Sequence, residues 1–154
     1  MDSNQPAFVL GFHGCDRSVA EDILSGQCSH LKSSQNEYDW LGHGIYFWEN
    51  SPTRSLAYAQ RQDSRQRRKN KVEHPVAIGA ILDLGYCLNL LDSQYVPVIK
   101  AGYQALADWM GELGKPMPQN RPAADGGAPL LRDLDCLVIN MVQATQDRGG
   151  LCRG

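Results

Sequence analysis

Three short β-prone runs, set among longer helical segments, restrict this chain to a small sheet with helices around it. The runs are Phe8 to Phe12 (FVLGF), Ile45 to Phe47 inside GHGIYFW, and Val76 to Leu84 (VAIGAILDL). Each is rich in β-branched, aromatic or aliphatic residues and is bounded by glycine or polar residues. The first should end in a turn at His13-Gly14. Gly42 and Gly44 permit sharp turns around the second. Strands alternating unevenly with helices define an α+β class, here a split, mostly antiparallel sheet with peripheral helices. Three strands are few for a closed core of this kind, so the fold reads as incomplete at its C-terminal side.

The helical signals are local. Ser18-Val19-Ala20-Glu21 fits a capping box, with the hydroxyl at the cap and the carboxylate three residues on. A helix from Val19 to Leu24 follows, and Gly26 suits its stop. Residues 27 to 39 are polar and read as a loop. Ser51-Pro52 places a cap before proline at the first helical position, starting a helix that runs to Lys69. Asp92 and Ser93 introduce an amphipathic segment from Gln94 to Leu113, stopped by Gly114. Its apolar Val96, Ile99, Tyr103 and Leu106 recur at helical spacing. Residues 115 to 128 form a Pro- and Gly-rich loop. A last helix spans Leu130 to Thr145.

The 154 residues fit one domain and can bury a core without metals or disulfides. A net charge of −2 gives no overall field favouring nucleic acid or membranes. Five cysteines without a CxxC pair read as reduced thiols of a cytoplasmic protein. No segment has the length and apolarity needed to span a bilayer, and no membrane partner is expected. Arg61, Arg65, Arg68 and Lys69 form a basic stretch at helical spacing. It reads as a solvated helix end, with a phosphate-binding patch as the alternative. Trp40 and Trp48 read as core or rim packing, and His43 as exposed. His30 and His74 lack a partner at metal-ligand spacing, and no metal site is expected.

One ordered set of residues suggests chemistry. His13-Gly14 closes the first run, Gly42-x-Gly44-Ile45-Tyr46-Phe47 follows, and Ser55 and Tyr58 share a helix face three residues apart. Two tyrosines can line a flat heteroaromatic ring. A serine hydroxyl and a glycine backbone can hydrogen-bond a carboxamide, and a histidine can bond a ribose hydroxyl.

FHGC at 12–15, GHGIYFWE at 42–49 and SLAY at 55–58 resemble, in order, the motifs of the diphtheria-toxin-like and poly(ADP-ribose) polymerase-like ADP-ribosyltransferases. AEDILSG and HPVAIGAILDLG resemble the helix and strand that accompany those motifs. The resemblance covers roughly residues 8 to 84. It implies NAD as substrate, with His13 on a ribose and the Gly14 backbone and Ser55 hydroxyl on the nicotinamide carboxamide. Tyr46 would line the pocket and Tyr58 would stack on the ring. Cys15 stands where the family has serine or threonine. The family's late glutamate has no counterpart, since no glutamate follows Glu112, and Glu49 is the candidate acid.

The implied activity is transfer of ADP-ribose from NAD to a macromolecular acceptor, protein or nucleic acid, as in bacterial toxins and defence proteins. An antitoxin would be a further partner. The alternatives are a catalytically silent NAD- or ADP-ribose-binding module, a transferase lacking its glutamate, and simple NAD hydrolysis.

Overall fold

The computed structural model describes residues 8–37, 39–63, 72–85, 87–122 and 129–148. The chain divides into two compact units, one formed by residues 1–32 and 45–87, the other by 33–44 and 88–154. The expected α+β class holds, with small antiparallel sheets and peripheral helices.

The first unit is built on a three-stranded antiparallel sheet. Strand β1 (Phe8–Asp16) lies between β2 (Trp48–Glu49) and β3 (Pro75–Asp83). The β1–β3 ladder is complete, from Phe8 opposite Asp83 to Asp16 opposite Pro75. β1 therefore runs straight through His13-Gly14 instead of ending there. Nine consecutive partners on β3 hold His13 and Gly14 extended, and that pairing overrides the local turn preference of the glycine.

Helix α1 (Arg17–Leu24) follows β1 directly, and its cap is Asp16, not Ser18. The Asp16 carboxylate accepts from the Ser18 amide at 3.0 Å and, with its other oxygen, from the amides of Glu73 and His74 at 2.7 and 2.9 Å. A carboxylate that bridges two elements outcompetes a hydroxyl that serves one. Gly26 sits beyond the helix end at φ 75°, as a left-handed stop requires.

Helix α2 (Pro52–Asp63) opens on proline as expected; the rest of the expected helix, including Arg65, Arg68 and Lys69, lies outside the described residues. α2 packs across β1 and β3. Ser55 and Ala59 are wholly buried there. The approach is close at Gly14, where a Cβ would run into the Ser55 carbonyl.

In the second unit a short 3-10 turn capped by Asp92 leads into α3 (Val96–Glu112), which packs on α4 (Asp133–Arg148). The buried α3 face centres on Gly102 and Leu106, while Val96 and Tyr103 are exposed. Gly102 lets the helices approach, because a Cβ there would meet Val142 Cγ2 at 2.5 Å. Leu106, Cys136 and Val142 form the core. The last helix starts three residues later than its composition suggests, because Pro129–Leu131 is strand β5, paired with β4 (Arg121–Pro122). Residues 33–44 belong to this unit through the Asn140 side chain, which accepts from the His43 amide at 2.7 Å. Among the described residues no helix is long and apolar enough to cross a membrane.

Candidate functional site

The hydrogen-bonding direction of β1 can be fixed from two bonds. The Leu10 carbonyl accepts from the Asn50 amide at 2.8 Å, on the β2 side. The Arg17 amide donates to the His74 carbonyl at 2.9 Å, on the β3 side. In an antiparallel ladder both main-chain groups of a residue face the same neighbour, and successive residues alternate. Even-numbered residues of β1 thus present N–H and C=O toward β2, and odd-numbered ones toward β3.

β2 stops at Trp48, opposite Phe12. Continued backwards, its register would bring Tyr46 opposite Gly14. That pairing does not form, and the expected strand over Ile45 to Phe47 is replaced by two ladder residues, Trp48 and Glu49. A side chain takes the place of the strand partner. His13 Nδ1 lies 2.7 Å from the Tyr46 carbonyl, which a strand partner would otherwise use. Phe47 packs on the His13 ring, with centroids 5.8 Å apart. A carbonyl only accepts, so Nδ1 carries the hydrogen, and in that tautomer of an imidazole Nε2 is the acceptor.

The result is a gap in the sheet. On its β1 side, Gly14 turns one N–H and one C=O toward an edge that no strand occupies among the described residues. Buried main-chain groups seldom remain without partners, so such an edge invites a ligand with one acceptor and one donor.

The other expected residues fall on both faces of the sheet, Ser55 and Tyr58 with Gly14 and Trp48 on the α2 face and Glu49 on the His13 face. Ser55 is packed against it, wholly buried, with its hydroxyl donating to the Pro52 carbonyl at 2.9 Å. The oxygen keeps its lone pairs, while its hydrogen is committed within the helix. Tyr58 is 43% exposed and leans on Trp48, ring centroids 6.3 Å apart at 52°. Tyr46 is half-buried. Glu49 is exposed and opposite Gly11, hence on the sheet face that also bears His13. Trp48, read from sequence only as packing, forms the wall behind Tyr58. Its place opposite Phe12 and against the Tyr58 ring could not be read without the register.

Cys15 points to the His13 face and is buried. Burial, aided by neighbouring Asp16, pushes its thiol up, so it stays protonated and unreactive. The Asp16 carboxyl is held well below the usual carboxylate range, first by the His74 amide and then by the Ser18 amide. Compared with family models, curated proteins and solved structures, the chain matches none.

Proposed function

We propose that this chain is an NAD-dependent ADP-ribosyltransferase module that recognises nicotinamide at the Gly14 edge of β1. The observation that supports this reading is the open edge itself. A primary carboxamide carries one C=O and one NH2, the same pair that an opposing strand residue would offer Gly14. Nicotinamide bonded there would complete the ladder that His13 interrupts. Its carboxamide would approach the Ser55 oxygen, and its ring would be lined by Tyr46 and Tyr58. His13 Nε2 would accept from a ribose hydroxyl.

The chemistry follows from the leaving group. The bond between ribose C1′ and the pyridinium nitrogen breaks, with its electron pair going to nitrogen and cancelling the ring's positive charge. The sugar passes through an oxocarbenium-like state, as in glycoside hydrolysis. An acceptor oxygen or nitrogen on a macromolecule bonds to C1′ and loses its proton. Glu49, on the His13 face, is the acid proposed to stabilise the developing cation.

The test is nicotinamide release from NAD by the purified chain, run beside His13→Ala and Glu49→Gln, with NAD binding titrated separately. The proposal expects release that His13→Ala abolishes and Glu49→Gln slows with binding intact. Binding without release would make the chain a silent NAD-binding module. Absence of binding would sink both readings.

A further inference from the structure

Among the described residues no strand pairs with the outer edge of β3, which differs from the gap at Gly14. By the same alternation, Val76, Ile78, Ala80 and Leu82 bond to β1, while Ala77, Gly79 and Ile81 direct N–H and C=O outward. β3 is a terminal strand of its sheet. Edge strands are ordinarily guarded by charges, prolines or bulges. Here the run VAIGAIL contains none of them; Pro75 and Asp83 stand only at its two ends. The sheet face beside this edge is also uncovered at one end. Phe8 is 63%, Leu10 49% and Ile81 73% exposed, all on the face that carries α2 at its other end.

We infer that a second copy of this chain pairs with β3 in antiparallel register about a two-fold axis at Gly79. Three outward residues spaced two apart match an identical strand, with Gly79 opposite Gly79 and Ala77 opposite Ile81. Charge selects this orientation. Antiparallel pairing places Asp83 beside the uncharged Pro75 of the other copy and holds the two aspartates about 27 Å apart, at ~3.4 Å per residue. A parallel in-register pair would set them side by side at one strand spacing, about 4.8 Å.

The axis stands perpendicular to the sheet, so α2 of both copies lies on one face. Each α2 then flanks the exposed Ile81 of the other copy, and the apolar end of each sheet gains a neighbour. The pairing uses both β3 edges, and assembly stops at two chains. This inference is independent of the NAD reading.

Sedimentation across a concentration series, with amide hydrogen exchange of the whole chain, tests it. A dimer should form in which the Gly79 and Ile81 amides become protected as concentration rises. Ile81→Pro removes one outward N–H and leaves every bond to β1 in place, so it should sediment as a monomer with an unchanged far-UV spectrum. Ile81→Lys, which adds charge without touching the backbone, should weaken the dimer at least tenfold. A monomer at all concentrations, larger open-ended assemblies, a dimer with unprotected Gly79 and Ile81 amides, or a dimer that survives both substitutions would each overturn the inference. Protection that appears only with an added unrelated protein would assign the edge to a different partner.

Discussion

His13 holds the Tyr46 carbonyl at 2.7 Å, and by doing so keeps Tyr46 out of the sheet. One ring nitrogen replaces a main-chain partner and leaves Gly14 facing a gap. His13→Phe retains the ring that packs on Phe47 and removes the donor. The Tyr46 carbonyl should then return to Gly14, lengthening β2. The Gly14 amide should exchange more slowly in His13→Phe than in the parent, and NAD binding should be lost. A Gly14 amide equally protected in both proteins would show that the edge is already closed.

Gly14 is constrained from the other side as well. A Cβ there meets the Ser55 carbonyl, which belongs to helix backbone and cannot rotate away. Gly14→Ala should therefore push α2 outward and cost about 1–3 kcal/mol, the usual range for overpacking. Urea unfolding measures this. A loss below about 0.5 kcal/mol, the scatter of ordinary surface changes, would mean that α2 slides freely over β1.

Much of the first unit was legible because its signals are local. Pro52 starts a helix and Gly26 ends one through φ preferences that need no partner. The strand at 75–83 is written in its own side chains. What could not be read were choices settled by distant residues. β1 continues through Gly14 because β3 pairs with it. The α1 cap moves to Asp16 because that carboxylate also serves Glu73 and His74, more than fifty positions away. The α3 segment was expected to pack through Val96, Ile99, Tyr103 and Leu106, of which Val96 and Tyr103 are exposed. The choice of Gly102 as the contact came from Val142, on a helix that periodicity in α3 cannot foresee. The site was legible as a set of residue types, and its gap was not, since the gap depends on which hydrogen bond Tyr46 makes.

Asp16 predicts a pH dependence with a definite sign. Its carboxyl is depressed in the fold, so the charged form is the one the fold favours. That stabilisation is complete above the unfolded value, about 3.9, and disappears as pH falls toward the folded value. Urea midpoints should decline below about pH 4 more steeply in the parent than in Asp16→Asn. At neutral pH, Asp16→Ala should cost about 1–2 kcal/mol as a lost cap. Parallel pH profiles for the parent and Asp16→Asn would assign the acid response to other carboxylates.

The second unit can be probed at Leu106, which is wholly buried where α3 meets α4. Leu106→Ala should destabilise that unit by about 2–5 kcal/mol, depending on how far the helices close over the cavity. Cys136 offers the readout. It is buried, and burial pushes its thiol up, so it should resist modification in the parent and react faster in Leu106→Ala. An unchanged Cys136 labelling rate would show that the substitution does not open this core.

The path of the backbone gives residues 33–44 a consequence of their own. They belong to the second unit, yet the chain enters them from the first and returns to it at Ile45. A single cut between Cys87 and Leu88 therefore does not release an intact second unit. The C-terminal fragment would lack Gly42 and His43, and Asn140 would lose the amide it holds. The N-terminal fragment would carry that missing piece without the helices it packs with. Two such fragments would be suited to split-protein complementation, with residues 33–44 as the element by which one recognises the other.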